Sequence, residues 1–425
     1  MHCKSIRFGQ QAFGLSVERN IIMAKYRDFD DDYEYDDEQY IYEDAPRGKK
    51  SRITEESMHE ENRKPRKKKK RKRWVMILVF VIEIILLLVL LAVWYVVGKL
   101  EMIERPAIDR DAIVINKELD DDTKEVLEGY TNILLLGSDA RDNSAEGLNK
   151  IGENHTDAII VASINNKTKE VRLVSIYRDT VLKIVDTANT QEVMYNKATD
   201  AMFFYGVEAA ISMVNTNFDL DIEDYVMVNW NALIEIIDAV GGIDLEIDDN
   251  ELYWINEYLR DTGENTGRTY ENVPNSGYVH LDGIQATAYC RIRYGGGNDF
   301  RRTERQRTVI NLVVEKAKEM DITKLNGAIN SVFGNISTSL DVGEILNLAK
   351  SIASYSITES AGVPSEVAYV EYLQGNTKDK DFVVANDLTA AVAELHKVLF
   401  DVDNYEPTAT VKEINSKISE LSGAY

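Results

Sequence analysis

Residues 74–97 read WVMILVFVIEIILLLVLLAVWYVV, twenty-four positions with a single charge at Glu83. A helix needs about 20 predominantly apolar residues to cross the hydrocarbon core of a bilayer, so this run crosses with some tilt. Trp74 opens it, and Trp94 and Tyr95 stand near its far end, where aromatic belts form. Immediately before it comes RKPRKKKKRKR at 63–73; after it come Gly98, Lys99, Glu101 and Glu104. That asymmetry puts the N-terminus in the cytoplasm and the long C-terminal part outside. A cleaved signal peptide fits poorly, because the run is too long, lies too deep, and has no small-residue site after it. A charged carboxylate at Glu83 costs roughly 2.5 kcal/mol on insertion scales. Either a partner helix or headgroup compensates it, or the carboxyl is protonated and tolerated among strongly apolar neighbours.

The anchor divides the composition. The 425 residues carry 49 Lys+Arg and 72 Asp+Glu, a net charge of −23, which excludes a general nucleic-acid binder. Residues 1–97 hold nineteen basic and sixteen acidic groups, and the remainder thirty and fifty-six. Two cysteines, Cys3 and Cys290, exclude a disulfide framework and a cysteine zinc site. Residues 26–44 mix acidic groups with tyrosines and lack an apolar period, which predicts disorder. The basic run attracts anionic headgroups of the inner leaflet. The shift in composition at Met23 suggests that translation starts there. The expected organisation is a cytoplasmic tail (1–73), a transmembrane helix (74–97), a spacer with one short helix (98–130), a folded domain (131–405) and a C-terminal tail (406–425).

Within the outer part, apolar runs at 132–137, 157–164, 171–176, 224–230 and 243–247 predict strands. Helical spacing predicts helices over 198–214, 232–240, 283–289, 303–320, 322–332, 342–355 and 387–399. Residues 261–279, rich in Gly, Asn, Thr and Ser, read as a loop. Strands alternating with helices indicate an α/β sandwich.

Charge breaks this apolar pattern in three places. Gly137-Ser138-Asp139-Ala140-Arg141 follows the first strand, and Asp157 opens the second. Arg178-Asp179 follows the third strand, and the last cluster lies in CRIRYGGGNDFRRTERQ (290–306). Six of the outer part's thirteen arginines fall between 291 and 307. Arginine's planar fork binds phosphate oxygens bidentately and stays charged when partly buried. Arg291 and Arg293 share a side if the chain is extended there, while Arg302, Arg305 and Gln306 share a helical face. Asp139 and Asp157, two carboxylates at strand ends, could hold a magnesium ion together with substrate phosphates and water. Arginines beside such an ion suggest pyrophosphate chemistry. Each piece alone has a plainer reading. A strand-end Asp is commonly a turn residue, three glycines a flexible loop, and helical Arg/Glu pairs a solvated face.

Taken in order, NILLLGSDAR (132–141), TDAIIVASIN (156–165), VRLVSIYRDT (171–180) and LDGIQATAYCRIRYGGGNDFRRTERQR (281–307) resemble the LytR-CpsA-Psr family of membrane-anchored bacterial envelope proteins. The resemblance implies an α-β-α sandwich with a central mixed sheet enclosing an apolar lipid pocket. It implies an enzyme of a Gram-positive cell membrane, its catalytic domain extracellular. This enzyme moves an anionic glycopolymer from undecaprenyl pyrophosphate to peptidoglycan, at the C6 hydroxyl of N-acetylmuramic acid, and requires Mg2+. By the same resemblance, Asp139 and Asp157 are the metal carboxylates. Arg178, Arg291, Arg293, Arg302 and Gln306 bind the pyrophosphate. His155 stands where the family commonly has arginine, a permanent charge that a neutral histidine does not supply; Arg141 is the substitute. Asp179 either positions or deprotonates the acceptor hydroxyl, or anchors Arg178. Competing readings are a polyprenyl-pyrophosphate hydrolase using the same residues, and a non-catalytic scaffold presenting lipid-linked precursors to other wall-synthesis proteins. The tail 1–73 contains no helix-turn-helix that would support transcriptional regulation.

Overall fold

The computed structural model describes residues 108–141, 145–294, 298–320, 336–376 and 380–424, together with the helical positions Leu87 and Leu90. The expected cytoplasmic tail and the helix expected at 322–332 lie outside the described residues, as does the span apart from those two positions. Among the described residues, no helix is long and apolar enough to cross a membrane.

The strands are β1 (Tyr130–Ser138), β2 (Thr156–Asn165), β3 (Glu170–Ile176), β4 (Val181–Val185), β5 (Val193–Lys197), β6 (Asp224–Val228), β7 (Ile243–Ile247), β8 (Gly277–Leu281), β9 (Ile336–Thr338), β10 (Ser356–Val363), β11 (Val367–Val370) and β12 (Phe382–Ala385). The helices are α1 (Asp121–Glu128), α2 (Ala145–Leu148), α3 (Asp200–Tyr205), α4 (Val207–Phe218), α5 (Trp230–Ala239), α6 (Asp249–Thr266), α7 (Gly283–Arg291), α8 (Asn298–Lys318), α9 (Val342–Lys350), α10 (Leu388–Phe400) and α11 (Ala409–Ser422).

Six strands form one mixed sheet in the order β10-β3-β2-β1-β6-β9. β1 runs antiparallel to β2 and parallel to β6; β3 is antiparallel to β2 and parallel to β10. The near-continuous apolar runs follow from burial on both faces. Leu134, Leu136, Ile159, Val161, Val174 and Ile176 join one core with residues of α4, α10 and α11. Their neighbours Ile133, Ile160, Ala162 and Leu173 face a second core with Ile310 of α8 and with Ile345 and Leu348 of α9. The period of two along each strand thus separates the two helical layers of the sandwich. A third core packs α5, α6 and α7 against the β7–β8 ribbon through Ile237, Ile243, Ile255, Leu259 and Leu281.

Several expected boundaries move. The helix expected over 198–214 is two helices, broken at Gly206, whose φ of +88° only glycine adopts readily. The expected loop 261–279 is overturned at both ends. α6 continues to Thr266 and closes on left-handed Gly267, and β8 begins at Gly277. A capping box at its start, Asp248 with Glu251, and the buried stripe Ile255, Leu259, Thr262 and Gly263 hold that polar helix in place.

The expected spacer contains its short helix, α1, but Ile113, Leu119 and Leu127 lie in the main core, so the described part of it belongs to the domain. The expected C-terminal tail is α11, with Val411, Ile414 and Ile418 buried in the same core. Fully buried Asp219 ties these ends together from a left-handed position after α4. Its Oδ1 accepts from Asn116 Nδ2 (2.6 Å) and from Thr408 Oγ1 (2.7 Å), and its Oδ2 accepts from the Thr408 N–H (2.9 Å).

Candidate active site

Where α5, α7 and α8 cross the second face of the sheet they leave a cavity of about 670 Å³. Leu135, Ile160 and Val226 of the sheet form one wall, and Leu233, Ile236, Val309, Ile310, Val313 and Val314 of the helices form the other. The volume and apolar lining suit a ligand of drug size or a segment of a longer chain. Gly137 lets the wall close, because a Cβ there would stand 3.0 Å from the Cβ of Ala158.

Polar groups gather at one end. A register shift between Gly137 and Ser138 ends the β1–β2 ladder, and Asp139 Oδ1 accepts the N–H of His155 at 2.8 Å. Asp139 and Asp157, from the adjoining ends of two antiparallel strands, both line the cavity. Asp157 Oδ1 accepts from Arg178 Nη1, which follows β3, and pairs with Arg293 Nη2 at 3.3 Å. Arg302, on α8, is 2% exposed; it reaches the carbonyl of Asp157 at 3.4 Å and the carboxylate of Asp299 at 3.2 Å. Its Nε and Nη1, and Oε1 of Gln306, are buried without a partner among the described residues. Burial, with Arg293 and Arg178 nearby, pushes the Arg302 guanidinium down to about 10 against the pull of Asp299. It stays charged at neutral pH, with donors still unmet.

Behind this wall lie two more acids. Burial raises the Asp179 carboxyl, but Arg178, Lys197 and a hydrogen bond with Asp299 outweigh it and hold Asp179 below the usual carboxylate range. Asp179 Oδ1 stands 3.5 Å from Arg178 Nε and 3.3 Å from Lys197 Nζ. Asp299 is raised, first by burial and then by Asp179 beside it, against Arg302. The neighbouring carboxyls are thus pushed in opposite directions, Asp179 down and Asp299 up. The pair braces Arg178 on one side and Arg302 on the other. Nearby, Tyr177 meets Phe300 edge-on at 4.3 Å, fixing the start of α8 to the end of β3.

The structure brings Asp139, Asp157, Arg178, Arg291, Arg293, Arg302 and Gln306 to one cavity. It does not bring Arg141, which is exposed and outside the lining. Asp179 also stands outside the lining. Arg291 and Arg293 do not lie in an extended segment. Arg291 ends α7, bonded to Asp261 (2.5 Å) and Thr262 (2.7 Å) and laid 3.6 Å from the ring of Trp230. Arg305, one turn from Arg302, turns away to Glu251 at 3.0 Å. His155 packs flat on Phe203 at 4.5 Å.

Sequence reasoning missed Asp299 and Lys197. Asp299 carried a signal, its three-residue spacing to Arg302 on one helix; Lys197 carried none. Among the described residues no group of three His, Cys, Asp or Glu side chains is placed to hold a metal.

The LytR_cpsA_psr family model matches residues 106–387. An uncharacterized protein of Staphylococcus aureus is 31% identical over 220 residues, covering 52% of this chain and 50% of its own length. An Enterococcus faecalis protein named polyisoprenyl-teichoic acid--peptidoglycan teichoic acid transferase TagU is 30% identical over 220 residues, 51% of this chain and 64% of its own. The chain thus spans between half and just under two thirds of the curated relatives it matches. A crystal structure from Streptococcus agalactiae shares the fold with a TM-score of 0.54 at 24% identity, covering 67% of this chain and 92% of its own. An Enterococcus faecalis structure described as a transcriptional regulator gives 0.51 at 23% identity, covering 70% and 97%. The family match runs from the segment before α1 to the start of α10 and contains the whole charged cavity, so the chain belongs to the LytR_cpsA_psr family.

Proposed function

We propose that this domain transfers a glycopolymer from a polyprenyl pyrophosphate to a hydroxyl of peptidoglycan, at the outer face of a bacterial membrane in which residues 74–97 anchor it. One observation carries the reading: an apolar cavity ends at a buried arginine with unmet donors, flanked by two further arginines. Such a site matches a ligand with a hydrocarbon tail and a multiply charged anionic head. The names of relatives such as the Enterococcus faecalis transferase agree with it.

In the reaction, the apolar walls hold the lipid tail and exclude water. Arg302, Arg178 and Arg293 take the pyrophosphate oxygens, supplying fixed positive charge where negative charge develops. The acceptor hydroxyl attacks the phosphorus next to the sugar, the P–O–P anhydride bond breaks, and polyprenyl phosphate leaves as a phosphoester to the acceptor forms; the anhydride itself drives the transfer, so no nucleotide is required. Asp139 lines the cavity with no arginine paired to it among the described residues, and the hydroxyl proton passes to the phosphate oxygen of the departing polyprenyl phosphate. Asp179, paired behind the wall, acts as the brace of Arg178 rather than as the base. Asp139 and Asp157, which both line the cavity, would hold a magnesium ion, two carboxylates being the usual protein share of such a site. When bound, that ion neutralises charge on the pyrophosphate.

The test is turnover of a short-chain polyprenyl-pyrophosphate glycan with and without peptidoglycan. Arg293→Ala is expected to lower the rate at least a hundredfold with the melting temperature unchanged, and chelation to stop turnover. Wild-type turnover by the variant would remove the site, and equal product without peptidoglycan would make the domain a hydrolase.

A further inference from the structure

Beside the charged end of the cavity, aromatic rings crowd one another at the surface. Trp254 of α6 stands 5.2 Å from Tyr294, with planes at 36°, and 5.0 Å from Tyr253 at 81°. Tyr258 lies 6.4 Å away on the same helix. Tyr258 and Tyr294 line the cavity, and Tyr294 directly follows Arg293, the residue paired with Asp157. Tyr253 is 56% exposed and Tyr294 62%. Arg293 and Tyr294 are the cavity-lining residues most open to solvent, so the cavity mouth lies at this cluster. Aromatic side chains held in contact yet open to water offer flat apolar faces with polar tips, a pattern of contact sites.

The charge around the cluster selects the occupant. α6 carries Asp249, Glu257 and Glu264 against Arg260, while its Glu251 and Asp261 are paired with Arg305 and Arg291. That helix repels an anionic bilayer surface, which argues against a membrane-docking face. A pyranose ring suits it. The C–H face of the sugar stacks on an aromatic ring, while its hydroxyls donate to carboxylates and bond with tyrosine hydroxyls.

We propose that Tyr253, Trp254 and Tyr294 form a stacking platform for the first sugar units linked to the pyrophosphate, immediately outside Arg293. This rests on the donor reading above and adds to it a subsite that recognises the sugar apart from the phosphate.

Quenching of tryptophan fluorescence in the full-length protein tests it with two probes, geranylgeranyl pyrophosphate and the same lipid bearing one N-acetylglucosamine. Wild type is expected to bind the sugar-bearing lipid about fivefold or more tighter than the bare one. Tyr253→Ala with Tyr294→Ala is expected to erase that preference, and Tyr253→Ala alone, outside the cavity lining, to reduce it while binding of the bare lipid stays within twofold; Tyr294→Phe is expected to keep it. If the double variant melts early, the single Tyr253→Ala variant, at an exposed helix position, carries the test. A wild type without preference, a double variant that retains it, or equal weakening of both lipids would overturn the platform and leave the donor site standing. Loss of binding to phosphatidylglycerol vesicles with the sugar preference intact would make the rings a membrane contact and overturn it also. A wild type that binds neither lipid would overturn the donor reading and the platform together.

Discussion

Arg302 is held in the fold by a carbonyl, a carboxyl and surrounding apolar chain, yet two of its donor nitrogens meet nothing among the described residues. A buried charge left short of partners destabilises the protein that holds it, and a hydrophobic residue of similar volume is often better tolerated. Arg302→Met together with Asp299→Asn, which removes both charges of the buried pair, is therefore expected to abolish turnover while the melting temperature stays level or rises, by about 1 kcal/mol in chemical denaturation. A fall of several kcal/mol would mean that the guanidinium supports the fold instead of the ligand. His396 gives the opposite case, a titratable group that serves the fold. It is 1% exposed, bonds the carbonyl of Phe218 at 2.9 Å, and lies flat on Tyr405 at 3.6 Å. Burial pushes its imidazole down to about 4, against an ordinary value of 6.5. Between those values the unfolded chain binds a proton that the folded one does not. Stability is full above about pH 6.5, falls as the pH drops toward 4, and levels below it. Urea titrations at pH 7 and pH 4.5 are expected to show this loss, on the order of a few kcal/mol, and His396→Leu to remove most of it.

Among the elements, α6 and α8 are joined by Glu251 and Arg305. Glu251 accepts the N–H of Asp248 through Oε2 at 3.3 Å, closing the capping box, and Arg305 Nε through Oε1 at 3.0 Å. Both side chains are largely buried, 5% exposed at Arg305 and 14% at Glu251. Breaking such a pair strands a charge, so Glu251→Gln is expected to lower stability by about 3 kcal/mol without altering the arginines at the cavity. Denaturation and lipid binding measured on the same preparation check both halves. The four inner strands of the central sheet, β1, β2, β3 and β6, were legible because burial on both faces leaves unbroken apolar runs such as Ile133–Leu136. α6 was not, because its outward face is so polar that four buried positions in eighteen residues read as loop. The edge strands β9 and β10 follow from pairing partners far along the chain, which no local pattern reports. At the site, residue type and order pointed to the arginines and the two aspartates. The different destinations of Arg291, Arg293 and Arg305 depended on where α7 ends and how α8 is turned, and neither is written in spacing alone.

For the whole molecule, the region matched by the family ends at residue 387, but the core does not. α11 buries Val411, Ile414 and Ile418, each worth roughly 1.5–3 kcal/mol. Their sum is comparable to the entire stability of an ordinary domain. A chain cut after residue 406 is therefore expected to be insoluble or to melt far below the intact protein, and scanning calorimetry of a soluble cut chain with an unchanged transition would contradict this. The same helix bears on how the molecule takes mechanical load. Asp219 clamps Asn116, just after the chain enters the domain, to Thr408, the cap of α11. The chain entering at residue 108 is held first by Arg110, paired with Asp224 at the start of β6, and then by Asn116 on that buried carboxylate between α4 and α11. A pull on the entering chain is thus shared between β6 and the helices α4 and α11 instead of falling on one element.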